Sequence, residues 1–346
     1  MDKIGRKCRE WVKVFGYVSA GIGFIGMVYI SLVIVSVFLK FLLKPTVSPG
    51  VSLILPGMNI PGIGYLSFWY WIIAIVILSV VHEFSHGMVA RAYDIKLKSS
   101  GFAIFGILAP ILPAAFVEPD EKKLAKKKDI VQYSVLGAGP MMNMVLAFLI
   151  LMALPYVIQG ENAIAPFEDR FSESIGFSVE PINESFPAYE AGLTNRTLIT
   201  TYNNNPVTSS DDLLYELYYC KKPGDTVILG NENQSFTITA TEHPENKGRA
   251  YLGIHNIQNE RRLIEGKEFQ GKVFYWFKDL LRWLFFLNFA VGLINLLPIF
   301  ATDGARMLKI FMDKIMKKKK SDKIWFLINI TFTFILIISL FATMFF

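Results

Sequence analysis

Cysteine is almost missing from this 346-residue chain: Cys8 and Cys220 are the only two. The segments that hold them are read on opposite sides of a membrane. No structural disulfide is therefore expected, and no cysteine-based metal site is available. Charge is scarce too. Asp, Glu, Lys and Arg make up 18% of residues against 53% hydrophobic ones, which excludes an ordinary soluble domain. The first apolar run is too long for a removable signal peptide and lacks its small-residue cleavage site. Histidine occurs four times, at positions 82, 86, 243 and 255.

Long apolar runs are what the chain has in abundance. Crossing a hydrocarbon layer of about 30 Å takes about 20 apolar residues in a helix. Five runs are read as spans: 14–43, 67–90, 131–157, 273–298 and 324–346. Gly21, Gly23 and Gly26 in the first predict a helix that is kinked, tilted or partly interfacial. The net charge of +6 would suggest nucleic acid on a soluble surface; here topology explains it. Basic residues cluster in 1–13, 91–130 and 304–323, whereas 159–272 holds 10 Lys and Arg against 17 Asp and Glu. Five spans with the N-terminus inside put all three basic segments in the cytoplasm and the acidic region outside, as the positive-inside rule requires.

The fold class expected is thus a multi-pass α-helical membrane protein. Its parts are an N-terminal span (1–43), a first half of a membrane core (44–158), an extracytoplasmic domain (159–272), a second half of the core (273–310), and a basic inner loop with a last span (311–346). Lys44 to Leu66 reads as an outer loop rich in Pro and Gly that dips into the interface. Residues 99–118 are apolar but broken by Gly101, Gly106, Pro110 and Pro113. They read as a re-entrant or sheet-like element, tolerable at membrane depth only if packed against protein or lining a wet cavity. In 159–272, strand-like runs at 175–182, 225–229 and 236–240 alternate with turn signals, and Ser210 or Asp212 caps a helix running to about Tyr219. This predicts one small α+β domain. Asn183, Asn195 and Asn233 each begin an Asn-x-Ser/Thr triplet, compatible with an exterior location.

The chemistry is concentrated in Ser79-Val80-Val81-His82-Glu83-Phe84-Ser85-His86-Gly87, which continues the apolar run from Trp69. Residues four apart on a helix share a face, so His82 and His86 can grip one metal. Glu83 sits beside them, placed to take a proton from a metal-bound water. Ionisable residues inside a span are expensive and read as functional.

Two histidines do not complete a zinc site, which takes three protein ligands and one open position. Asp94 lies near the inner end of its span, and His243 and His255 fall in the outer domain. Asp303 follows Asn295-Leu296-Leu297-Pro298 at the inner end of the fourth span, at the depth of the histidines. Two readings of Asp303 stay open: third ligand, or cap of a short cytoplasmic helix beginning near Gly304.

His82-Glu83-x-x-His86 together with Asn295-x-x-Pro298-x-x-x-x-Asp303-Gly304 resembles the paired signatures of the site-2 protease family of intramembrane zinc metalloproteases. Gly137-Ala138-Gly139-Pro140-Met141-Met142-Asn143 is similar to that family's Gly-Pro-x-x-Asn stretch. Leu55-Pro56-Gly57 through Pro61 and Phe116-Val117-Glu118-Pro119 look like the branch with the eukaryotic enzymes. The animal enzymes' cysteine-rich insertion is absent, which implies a prokaryotic, archaeal member. Phe186-Pro187-Ala188-Tyr189-Glu190-Ala191-Gly192-Leu193, Lys222-Pro223-Gly224-Asp225 and Tyr251-Leu252-Gly253-Ile254 resemble parts of a protease-associated PDZ domain. The usual Gly-Asp after Ala-Gly-Leu is replaced by Asn195-Arg196, which puts its ligand binding in question more than its fold.

The resemblance implies one catalytic Zn2+ on His82, His86 and Asp303, with Glu83 as general base and then acid. It implies that Asn295 and Asn143 hold the substrate strand or the developing oxyanion. The implied partners are single-span membrane-protein substrates, the lipid bilayer, and peptide ends on the PDZ-like domain; nucleic acid is not among them. The rivals are a transporter using Glu83 and Asp303 as a cation path, and an inactive peptide-binding scaffold. The first leaves the His-Glu-x-x-His face unexplained.

Overall fold

The computed structural model describes residues 1–44, 51, 53–60, 63–105, 112–158, 168–244 and 246–343. The chain divides into two compact units, Met1–Tyr156 with Trp276–Phe346, and Val157–Tyr275. The sequence reading had set the inserted domain at 159–272.

The first unit opens with a short helix α1 (Asp2–Lys7) and a 35-residue helix α2 (Arg9–Leu43). At 1.5 Å per residue α2 is about 52 Å long, more than a bilayer core. Its glycines do not interrupt it. A Cβ at Gly16 would lie 2.9 Å from Ser134 Cβ, and one at Gly26 would lie 2.6 Å from Leu296 Cδ1. Gly23 and Gly26 lie in close packing, their Cβ positions against Met307 and Leu296.

A small hairpin, β1 (Asn59–Ile60) and β2 (Gly64–Tyr65), precedes α3 (Phe68–Ala92). Ser67 caps α3 by accepting from Tyr70 N–H at 3.2 Å. The helix ends because Asp94 adopts a left-handed φ of 59°. The amides of Asp94 and Ile95 then donate back to Arg91 and Ala90 carbonyls, a Schellman closure. Asp94 pairs with Arg9, which accounts for its carboxylate.

The described parts of segment 99–118 are sheet-like. Strands β3 (Leu97–Phe105) and β4 (Leu112–Pro119) pair antiparallel, with Gly101 opposite Phe116. The expected breaks at Gly106 and Pro110 lie outside the described residues, as do Pro45, Pro49 and Gly50 of the outer loop. A one-turn helix α4 (Glu121–Leu124) leads to α5 (Asp129–Ile158).

The second unit is α+β. Strands β5 (Ser172–Pro181), β6 (Thr197–Ile199), β7 (Thr201–Tyr202), β8 (Asn205–Pro206), β9 (Thr226–Gly230), β10 (Ser235–Thr239), β11 (Thr241–Glu242), β12 (Ala250–Tyr251) and β13 (Ile254–Leu263) join helices α6 (Pro187–Glu190) and α7 (Asp211–Tyr219). The sheets run β13-β5-β6, β10-β9-β7-β8 and β11-β12 around a core that includes Phe177, Val179, Ile199, Leu213, Leu229 and Leu252. In Pro187 to Leu193, proline starts α6, Gly192 turns the chain at φ 86°, and Leu193 enters the core. Ser210 occupies the N-cap of α7, but its side chain makes no capping bond; its own amide donates to Asn259.

Helix α8 (Glu268–Ile294) contributes its later residues to the first unit, followed by α9 (Asp303–Ile315) and α10 (Lys318–Thr343). Among the described residues, α2, α3, α5 and α10 are long and apolar enough to cross a membrane. α8, expected as the fourth span, falls short of that composition because Lys272, Lys278, Asp279 and Arg282 interrupt its apolar run. Four helices of the first unit thus carry the composition of spans, where the sequence suggested five.

Candidate metal centre

Helix α3 presents His82 and His86 one turn apart, both buried. Their Nε2 atoms are 3.0 Å from each other. Asp303 Oδ2 lies 3.1 Å from His82 Nε2 and 3.3 Å from His86 Nε2. Among the described residues this is the one group of three such side chains arranged to hold a metal. Two imidazole lone pairs and a carboxylate oxygen converging at this distance repel unless a cation or a proton lies between them.

Both readings of Asp303 meet in one turn. Asp303 is the first residue of α9, but Thr302 does the capping, accepting from Ala305 N–H at 3.3 Å. The Asp303 carboxylate is thereby free to reach the histidines. Pro298 is buried within the loop that ends α8, and Gly304 N–H closes the loop onto the Asn295 carbonyl at 2.9 Å. A Cβ at Gly304 would stand 2.1 Å from Leu296 O, so glycine after Asp303 is a steric requirement of the turn.

Helix α5 furnishes the opposite wall with residues 135, 139 and 143, spaced four apart on one face. His86 Nδ1–H donates to the Val135 carbonyl at 2.6 Å, which leaves Nε2 bare for coordination. Asn143 is fully buried, its Nδ2 at 3.3 Å from His82 Nδ1. Between them Gly139 offers no side chain: a Cβ there would lie 2.4 Å from His86 Nε2 and 2.6 Å from His82 Nε2. Sequence reasoning quoted Gly139 only within a motif. Its signal was a glycine beside a proline in a helix interior, the mark of a close approach.

Glu83 accepts a hydrogen bond from Val117 N–H at 2.9 Å, and one turn earlier Ser79 Oγ accepts from Ala115 N–H at 3.1 Å. The outward amides of β4 are thus held by α3. Ser79, also missed, was detectable as the residue four before Glu83. Asn295 is half-buried, and its side-chain amide makes no hydrogen bond among the described residues. His243 and His255 lie in the second unit, His255 facing Glu180 at 3.8 Å.

The donors suit zinc. A tetrahedral ion with bonds of about 2.0–2.2 Å sets neighbouring donors about 3.3 Å apart, near the separations found here. The space kept clear by Gly139 is the cradle such an ion and its open position need. A helix-borne histidine pair closed by an aspartate, beside a second carboxylate, is a donor set fit to hold one metal ion.

The chain belongs to peptidase family M50, the site-2 protease family, whose sequence model matches residues 70–339. It is 27% identical over 72% of its length to an uncharacterized protein of Methanocaldococcus jannaschii, spanning 58% of that protein. A Clostridium acetobutylicum protein, provisionally named a zinc metalloprotease, is 23% identical over 80% of this chain and 97% of its own length. The regulator of sigma-W protease RasP of Bacillus subtilis is 24% identical over 66% of this chain, which spans 61% of it. The chain therefore covers less than two thirds of the archaeal and Bacillus relatives.

Proposed function

We propose that this chain is an intramembrane zinc metalloprotease. It hydrolyses a peptide bond in or near the transmembrane segment of a membrane-protein substrate. The observation that carries the reading is the convergence of His82, His86 and Asp303 within 4.8 Å beside Glu83. A zinc ion bound by those three would supply Lewis acidity, activating water and polarising the scissile carbonyl. Glu83, anchored through one oxygen to Val117 N–H, has its other oxygen available to take a proton from the attacking water. As the C–N bond breaks, Glu83 returns that proton to the leaving amine.

A helical substrate hides its carbonyls, so it must unwind, and unwound backbone in a bilayer needs partners. The free amide of Asn295 can hold that strand or the developing oxyanion. Asn143, buried against His82, is the weaker candidate for that task. The hairpin of β3 and β4 lies beside the base through Val117 and is the natural receiver for an extended strand.

Three basic segments on one side favour the cytoplasmic N-terminus and an α8 that crosses despite its charges, since 304–323 must return inside. The protein then sits in a prokaryotic cell membrane with residues 159–272 outside it, and their PDZ-like sequence motifs suit capture of peptide ends by strand addition. One relative is named the regulator of sigma-W protease RasP; regulated intramembrane proteolysis is the role proposed here.

Cleavage of a single-span substrate by purified protein, wild type beside Glu83→Gln with zinc measured on both, tests this. Cleavage by wild type alone, with zinc in both, supports the reading. Zinc without cleavage in wild type favours a non-catalytic peptide-binding scaffold, and zinc in neither sinks the site.

A further inference from the structure

The two histidines of the site are anchored unequally. His86 Nδ1 has a backbone acceptor, the Val135 carbonyl at 2.6 Å. His82 Nδ1 faces only the Asn143 side chain, whose Nδ2 is 3.3 Å away. In this arrangement Asn143 Oδ1 is buried with no hydrogen-bond partner among the described residues, and the residue has no exposed surface. A buried amide oxygen left unpaired forfeits its hydration without recovering a hydrogen bond.

The orphan finds its partner once His82 coordinates. A neutral imidazole carries one N–H, and an Nε2 lone pair given to a metal leaves the proton on Nδ1. That Nδ1–H then needs an acceptor. A half-turn of the Asn143 side chain exchanges Nδ2 for Oδ1 in the same place. The rotation pairs Oδ1 with Nδ1–H and moves Nδ2 to the place that Oδ1 held.

We infer that Asn143 is the positioning residue for His82: its side-chain oxygen accepts from Nδ1–H and fixes His82 in the tautomer whose Nε2 binds metal. The inference rests on the metal-site reading above. It assigns to α5 the outer support of both histidines, by a carbonyl at 135 and an amide at 143, on either side of the clear space at Gly139. Outer-sphere acceptors of this kind typically alter metal affinity by about 10- to 100-fold.

The test is the zinc dissociation constant of the purified full chain, by competition with a chromogenic chelator, for wild type, Asn143→Leu and Asn143→Asp. Leucine keeps the volume and removes the acceptor, whereas aspartate keeps an oxygen in place. The expected result is zinc bound about 10- to 100-fold more weakly by the leucine variant, with affinity kept or raised in the aspartate variant. A merely structural role for Asn143 would not be rescued by aspartate.

Nitrogen-15 spectra of histidine-labelled, zinc-loaded protein give a readout independent of turnover, with only four histidines to resolve. A protected His82 Nδ1–H is expected in wild type and its loss in the leucine variant. Equal zinc affinity in wild type and the leucine variant would overturn the inference. So would a tenfold loss in the aspartate variant, which decides the matter alone if the leucine variant does not fold. Failure of wild type to bind zinc would instead overturn the site reading itself.

Discussion

The Glu83 carboxylate accepts a hydrogen bond from the Val117 backbone amide at 2.9 Å, joining α3 to a strand of the β3–β4 hairpin. Its companion, Ser79 to the Ala115 amide at 3.1 Å, sets the register of that contact. Two residues along a strand advance about 6.7 Å and four along a helix about 6 Å, so two rungs fit without strain.

Ser79→Ala removes one rung and leaves a part-buried amide unpaired, costing about 1 kcal/mol, the lower end for such a group. The expected result is a kcat/KM about fivefold lower, with zinc content unchanged. Steady-state cleavage with zinc analysis checks it; an unaltered kcat/KM would mean that the hairpin does not position Glu83.

Gly139→Ala puts a methyl group within 2.4 Å of His86 Nε2. Helix propensity favours alanine by about 1 kcal/mol, so the helix itself should tolerate the change. Zinc binding and cleavage are expected to vanish while the protein stays monodisperse. With wild type, zinc at about 100 times its dissociation constant adds about 2.7 kcal/mol of stability; chelation should lower Tm there and leave the variant's Tm unmoved.

Gly304→Ala should also abolish zinc binding, by a different route. Its Cβ would lie 2.1 Å from Leu296 O, a backbone atom that cannot swing away. Strain of about 1–3 kcal/mol is expected, together with displacement of Asp303. Gly21→Ala is the control, since no described residue lies within 4 Å of its Cβ. Thermal unfolding and zinc content of the pair separate a steric effect from a general intolerance of alanine.

In the second unit, burial pushes the Tyr202 phenol above its ordinary range, and Glu216, which accepts from its hydroxyl, pushes further. Because the folded value is raised, its contribution to stability is complete below about pH 10, the unfolded value. It is lost as pH rises through the interval above, where the unfolded chain ionises first. Chemical denaturation from pH 8 to 11.5 should show wild type losing stability relative to Tyr202→Phe only at the alkaline end. Parallel curves would refute the role.

Much of the second unit was legible because its signals are local. Ser235–Thr239 alternates exposed and buried residues, and Gly224, at φ 96°, closes the turn that Pro223-Gly224-Asp225 announces. The apolar runs likewise announced α2, α3, α5 and α10. The charges of α8 were visible too, but what sits beside them is a matter of packing. Asn143 was expected to hold substrate. Its place against His82 follows from how α5 packs on α3, which no single segment encodes.

By itself the sequence determined what one turn of helix can enforce. His82 and His86 share a face because they are four apart, and Glu83 adjoins them, whatever surrounds the helix. The tertiary structure alone decided what completes the pair. Asp303 comes from 217 residues beyond His86, and Val135, Gly139 and Asn143 from another helix. Contacts across such separations depend on which helix faces pack together, and many pairings are compatible with one pattern of apolar residues. Here a missing side chain at Gly139 and a displaced backbone at Gly304 selected the pairing that brings the donors within reach of one ion.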